Sequence, residues 1–373
     1  MNDIYRITDS RDYKMFSKKS FSGYKKTDVM NALFKSIESK KIENACHWTT
    51  ECIISGYTLS LWEKLIIYGM KVVHINNPSL PSYLLMKHRI FYNQYKQINA
   101  KKENILLLRN SQMIRNLFFD VVTTLSTSLK TKRYDKLIKI NEKEDFNFIT
   151  IQKRLCSKMN ILPDHIILFH DPDELRIIIN EIFTMLKNKQ FGYDSACYWV
   201  LWLYRWEKIH KKNKQIWSLS LRKVKDIDPK YGCDLSWVLW SVILEEMNQR
   251  KDPIITQQIN SIYQLYKSNY TSGKQTSRLP YIYYAIGFLT HDINFKIPIR
   301  SEYKIYFQVQ ANVNKMFLSK KMFEETQIND SIPNKQTKTQ KPITTNKQDE
   351  NINIEIVTDK ISIFNELDTQ FCK

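Results

Sequence analysis

Two stretches of this sequence, ENACHWTTECIISG at residues 43–56 and YDSACYWVLWLYRW at residues 193–206, share the core pattern Ala-Cys-(His or Tyr)-Trp. Each follows an apolar pattern of helical spacing and a polar turn, SKKIEN before the first and NKQFGYD before the second. The recurrence predicts one helical pair used twice in the chain. The alternative is a chance likeness between two amphipathic helical pairs.

The chemistry of the shared pattern suits tight packing. Aligning Ala45 with Ala196 places Trp48 on Trp199. A small alanine beside a large tryptophan is typical of a close helix crossing, because the neighbouring helix approaches over the alanine while the indole fills the groove. We therefore interpret Ala45, Trp48, Ala196 and Trp199 as packing residues.

The rest of the chain has the same periodicity. Its apolar residues recur at three- and four-residue spacing, and sustained apolar/polar alternation is scarce. In the second half of the chain this spacing predicts helices near 193–212, 234–249, 254–269, 276–291 and 301–324. We predict an all-α, multi-helix fold with two helical lobes. The first lobe would cover residues 27–127 and the second residues 147–325, with a connection at 128–146.

The two ends of the chain differ from its middle. Residues 1–26 are polar and basic and are interpreted as a flexible arm, without the apolar region of a signal peptide. Residues 326–373 are rich in Asn, Gln, Thr and Lys, and they predict a disordered tail because so few large apolar groups cannot offset the entropy of ordering. The apolar residues among acids at 354–367 leave open a short motif that folds on a partner.

Charge indicates the class of partner. The 373 residues include 57 Lys and Arg against 38 Asp and Glu, which gives a formal net charge of +19. Such a balance favours a polyanion such as nucleic acid, or an acidic protein or membrane surface. High Lys, Ile and Asn content also arises from AT-rich coding DNA, as in large DNA viruses and protists, so composition is a second explanation of the charge.

Several function classes lack their sequence signals. The chain has 7 glycines and contains neither a P-loop nor a G-x-G-x-x-G motif, and its 6 cysteines form no C-x-x-C and no zinc spacing. We predict no cofactor, no metal, no membrane association and no enzymatic activity; a cryptic enzyme would need converging titratable groups. Reduced, buried thiols suit an intracellular protein, in the nucleus or at a cytoplasmic replication site.

The basic segment, defined as residues 204–225 with the sequence YRWEKIHKKNKQIWSLSLRKVK, is the strongest candidate site. It combines cations that neutralise phosphates with indoles that stack on bases. The alternative is a core stripe at Trp199, Trp202 and Trp206 with the lysines as its solvated flank. A weaker basic candidate lies at residues 14–26. The predicted nucleic-acid-binding residues are Arg205, Trp206, Lys208, Lys211, Lys212, Lys214, Trp217, Arg222, Lys223 and Lys225.

Two further patterns have structural and chemical interpretations. His47 and Glu51 share a helix face at i, i+4; they could join a metal site, but without further ligands a hydrogen-bonded structural pair is favoured. Asp171 precedes Pro172, and we predict that Asp171 caps a helix whose first position is the proline.

The first copy of the repeated unit also resembles a known family. The run DVMNALFKSI from Asp28, followed by Glu43-Asn-Ala-Cys-His-Trp, Gly56 and His74-Ile-Asn-Asn-Pro, is similar to the helical C-terminal region of MgsA/RarA-type AAA+ recombination ATPases. That region is related to the collar of clamp-loader subunits, and in the family it carries oligomerisation rather than catalysis. The resemblance covers about residues 27–95.

This sequence departs from the family in two respects. It contains no phosphate loop, and His74-Ile75 replaces the acidic residues that precede the Asn-x-x-Pro-like turn. The resemblance therefore implies collar-like helical packing and association with a second copy or a replication protein, without ATPase activity.

Two functions remain as hypotheses. The first is a non-catalytic helical accessory protein of DNA replication, repair or transcription that binds nucleic acid, DNA rather than RNA, through the basic segment. Its helical repeats would bind partners. The second is a structural or scaffolding module for protein interaction that binds no nucleic acid.

Overall fold

A computed structural model describes residues 3–99, 101–131, 139–189, 192–214 and 217–325. Within these ranges the regular secondary structure is helical, which confirms the all-α prediction. The described residues belong to one compact unit. The predicted disordered tail at 326–373 lies outside the described residues.

The first helices of the chain are α1 to α5, and short helices α6 and α7 follow. Their bounds are Lys26–Glu38 (α1), Ile42–Ile54 (α2), Thr58–Tyr68 (α3), Leu80–Gln97 (α4), Gln112–Thr127 (α5), Glu142–Asp145 (α6) and Phe148–Arg154 (α7). The later helices are Asp173–Leu186 (α8), Gly192–Lys212 (α9), Leu235–Arg250 (α10), Pro253–Lys267 (α11), Leu279–Thr290 (α12) and Tyr303–Leu318 (α13).

The two copies of the repeated unit form the helical pairs α1–α2 and α8–α9, and each pair packs together. Ala45 and Ala196 are both fully buried. Helix α2 then packs on α5, and α9 packs on α12. The equivalent tryptophans differ in their neighbours: Trp48 lies edge-on to Tyr24 of the N-terminal segment, whereas Trp199 packs on Trp202 of its own helix.

Residues 3–26 are packed, in contrast to the flexible arm that the sequence suggested. Ile7, Phe16 and Phe21 are each at most 2% exposed. The backbone N–H of Phe21 donates to the Ser55 hydroxyl at 2.8 Å. A few apolar residues therefore suffice to anchor this polar segment against α2. Their spacing follows no local periodicity that would have indicated this packing.

Helix α13 returns to the first half of the chain. Its main helix contacts are with α5 and α2, in the first half of the chain. The halves are also joined where α4 packs on α11, and where the Tyr284 hydroxyl donates to the Asn77 carbonyl at 2.9 Å. The two predicted lobes are therefore interlocked: α13, placed by the sequence in the second lobe, lies against the first. Within the predicted connection 128–146, the structure describes α6, while residues 132–138 lie outside the described ranges.

A buried ion pair holds the end of α13 in place. The Lys320 ammonium lies 2.6 Å from a carboxylate oxygen of Glu51, and both side chains are at most 3% exposed. Glu51 also accepts from Ser22, whose N–H and hydroxyl each donate at 2.7 Å. Burial opposes ionisation of Glu51, but the charge and hydrogen bond of Lys320 outweigh it and lower the carboxyl pKa.

His47 completes this cluster. Its Nε2 accepts from Lys320 at 3.2 Å, so His47 and Glu51 each bond to Lys320, a partner that the sequence did not indicate, rather than forming the predicted hydrogen-bonded pair. Burial, and then the Lys320 charge, lower the His47 pKa to about 4. The ring is therefore neutral and serves Lys320 as an acceptor.

We expect Lys320→Ala to lower the free energy of unfolding by about 3–5 kcal/mol, because it leaves the Glu51 carboxylate buried without its cation. Urea denaturation would measure the change. Lys315→Ala, on the exposed face of α13 five residues earlier, is the matched control and should shift stability by no more than about 0.5 kcal/mol. Equal effects of the two substitutions would contradict the role of the ion pair.

We also expect the free energy of unfolding to fall as the pH decreases from about 6.5 to about 4, because His47 resists protonation in the folded chain. The unfolded chain binds this proton near pH 6.5 and the folded chain only near pH 4, so stability is lost as pH decreases between these values. His47→Gln keeps an acceptor for Lys320 but removes the titration, and it should flatten the dependence of the urea midpoint on pH. An unchanged slope in His47→Gln would refute this account.

Candidate nucleic-acid interface

Helix α9 carries an aromatic stripe on its buried side. Trp202 and Trp206 stack with ring centroids 4.9 Å apart, and Trp206 packs on His210 at 4.5 Å. Phe146, beside α6, covers both indoles at 5.1 and 5.5 Å. The core-stripe interpretation of these tryptophans therefore describes what the structure shows.

The α6 region fixes this stripe by hydrogen bonds as well. The indole N–H of Trp202 donates to the Asp145 carbonyl at 2.8 Å, and the Tyr198 hydroxyl donates to the Asp145 carboxylate at 2.9 Å. Arg154 of α7 lies 3.3 Å from the same carboxylate and over the Tyr198 ring. Sequence reasoning did not place Arg154 here, since its contact with Tyr198 joins positions more than forty residues apart and no local pattern signals it.

The basic stripe, defined as Arg205, Lys208 and Lys212, occupies a different side of α9. These residues follow one another at i, i+3 and i+7, so they share one helix face, and all three are exposed. Lys214 follows the helix end with a positive φ of 55° and is also exposed. Cations in the last turn are favoured because they oppose the negative end of the helix dipole.

Two of the predicted residues in this helix have internal partners. Lys211 is exposed but donates to Glu207 at 2.9 Å, in an i, i+4 ion pair. Trp206 is held between Trp202, Phe146 and His210, so its rings serve the core rather than a ligand. Trp217 is half-buried and contacts His210 at 5.4 Å, which places the start of the following loop beside the last turns of α9.

Arg222 is a structural residue. Its two terminal nitrogens donate to the two carboxylate oxygens of Asp171, and the side chains are 9% and 0% exposed. It also donates to the Ser220 and Ile166 carbonyls. Nucleic-acid binding through Arg222 is therefore disfavoured, because its donors are already used inside the protein.

Asp171 is not the helix cap that the sequence predicted. Helix α8 begins at Asp173 with Pro172 at the capping position and no side-chain cap. The Asp171 carboxylate instead accepts from the N–H groups of Leu168 and Ser220. Burial opposes its ionisation, but the hydrogen bonds from Arg222, Ser220 and Leu168 outweigh burial and lower the Asp171 pKa. This pair ties the basic segment to the start of α8.

The end of the basic segment borders a cavity of about 370 Å³. Lys223 and Lys225 are exposed and contribute to its wall, together with the apolar side chains of Leu221 and Ile227. This loop is held by the Arg222 N–H, which donates to the Gly232 carbonyl at 3.0 Å. Cations and apolar groups around a small cavity can hold a phosphate and part of an attached base or sugar.

The weaker basic candidate at residues 14–26 is a packed turn. Lys18, Lys19 and Lys25 are exposed on it, and Lys19 and Lys25 form an isolated antiparallel bridge. Lys26 is half-buried over the Tyr57 ring at 4.6 Å.

Other site classes find no support in the part of the chain that the structure describes. No three His, Cys, Asp or Glu side chains converge into a metal site there, and no helix there has the length and apolar content to cross a membrane. Burial raises the pKa of the Cys46 thiol to about 12, so this cysteine is protonated.

Comparisons with protein families, with curated proteins and with solved structures find no match to this chain.

We expect Arg222→Gln to lower the free energy of unfolding by about 3 kcal/mol, because Asp171 would keep a buried charge without its partner. Lys223→Gln, one residue later and exposed, removes the same charge and should leave stability within about 0.5 kcal/mol of the wild type. Thermal and urea unfolding of the two variants would measure the difference. A stable Arg222→Gln variant would argue that this arginine is free to serve a ligand.

Proposed function

We propose that the protein is a non-catalytic helical accessory factor of DNA replication, repair or transcription that binds the phosphate backbone through α9 and the loop after it. The basic stripe carries this proposal. Arg205, Lys208 and Lys212 are exposed on one face of a helix whose other side is anchored by the tryptophan stripe. A rigid support keeps three cations in a fixed row, which suits a regular array of phosphates.

The residues around the stripe extend this surface. Lys211 and Lys214 lie in the same final turns, and Lys223 and Lys225 border the cavity in the following loop. Trp217 is half-buried and packs on His210 of α9 without joining the tryptophan stripe, so it is our candidate for base stacking. An aromatic group beside a basic row favours single-stranded DNA, since unpaired bases expose their faces.

The resemblance to the clamp-loader collar region supports a role beside other replication proteins. It lies in the first half of the chain, away in sequence from the basic segment. We propose that α1–α2 and their neighbours provide collar-like packing and association with a second copy or a replication protein. The site of action would then be the nucleus or a cytoplasmic replication site.

The scaffolding hypothesis is supported by a different observation. Large apolar side chains are exposed in residues 148–169: Phe148 is 76% exposed, Met159 is 70% exposed and Phe169 is 94% exposed. On this hypothesis these side chains form one apolar surface, since a contiguous exposed apolar patch commonly marks a contact with another protein. On this hypothesis the positive charge serves an acidic protein partner.

We expect the purified protein to bind fluorescent single-stranded DNA, with an affinity that falls as salt rises by a log–log slope of about 0.7 for each phosphate contact. The variant Arg205→Gln, Lys208→Gln, Lys212→Gln, Lys214→Gln should lose most of this binding and lower the slope. It spares Lys211 and Arg222, which are ion-paired, so its folding should be intact. Fluorescence anisotropy at two salt concentrations measures both quantities.

The matched control removes four exposed lysines from other helices. These are Lys35, Lys96, Lys304 and Lys315. Both variants lose the same net charge, so a general electrostatic attraction would weaken equally in the two. Equal losses, or no DNA binding by the wild type at low salt, would overturn the proposed interface and favour the scaffold.

A further inference from the structure

A cleft of about 900 Å³ lies between the N-terminal segment and the 3-10 helix Lys102–Asn110. One wall is formed by residues 6–9 and the other by residues 106–110. We call it the arginine cleft, after Arg6 and Arg109 in its walls. It belongs neither to the basic segment nor to the repeated helical pairs.

Backbone-directed hydrogen bonds hold the two walls together. The Asn110 side chain accepts from the Ile7 N–H and donates to the Ile7 carbonyl, each at 2.9 Å. Arg109 Nη2 donates to the Asp9 carbonyl at 2.9 Å. The cleft is therefore a built feature of the fold, with its shape set by side chains from both walls.

Arg109 has unused hydrogen-bonding capacity. The residue is 7% exposed, and its Nη1 has no hydrogen-bond partner among the described residues. Burial lowers its pKa from the usual arginine value, yet the group remains a cation at neutral pH. An unpaired donor on a buried cation calls for an explanation, since almost all such donors are satisfied.

The carboxylates of Asp9 and Glu324, near the cleft, form hydrogen bonds with groups other than Arg109. Both carboxylate oxygens of Asp9 accept hydrogen bonds from the Arg11 guanidinium, and one of them also accepts the N–H of Glu325. Glu324 accepts the N–H and the hydroxyl of Thr8. Neither acid forms an ion pair with Arg109, so the guanidinium charge is not neutralised by direct contact.

Two more guanidinium groups reinforce the positive charge. Arg115 is fully buried behind the cleft, where its donors reach only carbonyl and amide oxygens, including the Arg109 carbonyl at 2.8 Å and the Tyr5 carbonyl at 2.9 Å. Arg6 is exposed in the wall and has no ion pair within the described residues. Asp9 lines the cleft and, with Glu324, acts on Arg109 at longer range, but both acids are hydrogen-bonded to other groups. Arg6 and Arg109 are therefore the charged groups left to meet an entering anion.

We propose that the arginine cleft binds a small organic phosphate, with Arg6 and Arg109 donating to the phosphate oxygens and Ile7, Leu106 and Leu107 contacting the organic part. Guanidinium groups match the geometry of phosphate oxygens, and the volume suits a molecule the size of a mononucleotide. The terminal phosphate of a nucleic acid strand presents the same chemistry as a free nucleotide. This site is independent of the proposed DNA interface on α9.

Isothermal titration calorimetry of the full chain tests the proposal, with adenosine 5′-monophosphate, adenosine and inorganic phosphate as probes. We expect the monophosphate to bind and adenosine not to bind, since the phosphate supplies the main contact. A 5′-phosphorylated oligonucleotide compared with its 5′-hydroxyl form separates a strand end from a free nucleotide as the source. No heat from any phosphate-bearing probe would overturn the proposal.

Variants locate the binding. Arg6→Gln changes an exposed side chain and should weaken monophosphate binding about tenfold without altering thermal stability. Arg109→Lys keeps the charge but loses the fork of donors, and it should also weaken binding. The control Lys14→Gln removes an exposed charge from the N-terminal segment outside the cleft wall and should bind as the wild type does.

One result would exclude the arginine cleft as the phosphate site, and another distinguishes this site from the DNA interface on α9. Full binding by Arg6→Gln and Arg109→Lys would exclude the arginine cleft. The variant with Arg205, Lys208, Lys212 and Lys214 changed to Gln should retain monophosphate binding, so failure of the DNA interface and failure of this cleft are measured independently.

Discussion

The ion pair between Lys320 and Glu51 closes the chain on itself. It joins residues 269 positions apart, in an environment where both charges are removed from water. Such a pair gives little net stability relative to an apolar contact of the same shape, but it strongly penalises any arrangement that leaves one charge alone. Helix α13 therefore has one favourable end position, against α2 and the N-terminal segment.

Contacts between distant residues, such as this ion pair, separate the parts of the fold that local sequence could predict from those that it could not. Spacing at three and four residues predicted a helix near 193–212, and the structure has α9 at Gly192–Lys212. It also predicted one near 254–269, where α11 is Pro253–Lys267. These helices follow from side chains on a single face, which local periodicity reports. The packing of residues 3–26 and the return of α13 depend on single residues such as Phe21 and Lys320, whose partners are distant in the chain.

The basic segment shows why two interpretations of one sequence can both hold. Adjacent positions on a helix point about 100 degrees apart, so Trp206 can face the core while Arg205 faces solvent. The core stripe and the exposed basic row are two sides of α9. What the sequence could not separate was the state of each cation: Arg222 looked equivalent to Lys223, yet only the structure shows that Asp171 holds it inside the protein.

The difference between the two repeated helices connects the fold to the proposed function. Helix α2 ends at Ile54, and Gly56 follows with a φ of +74°, in a turn where an added Cβ would lie 2.9 Å from Leu106. In the alignment that pairs Ala45 with Ala196, Ile54 corresponds to Arg205 and Gly56 to Glu207. With no glycine to end it there, α9 continues through two further turns.

Those turns begin where the likeness between the copies ends, and they carry the basic stripe. The shared part of each copy packs into the core, which constrains its residues to serve the fold. The extension has no counterpart in α2, and its solvent-facing side is free of that packing constraint. A duplicated packing unit with one lengthened helix can thus present a cationic row without disturbing the core beneath it. The DNA interface that we propose is therefore a property of the extension rather than of the repeat.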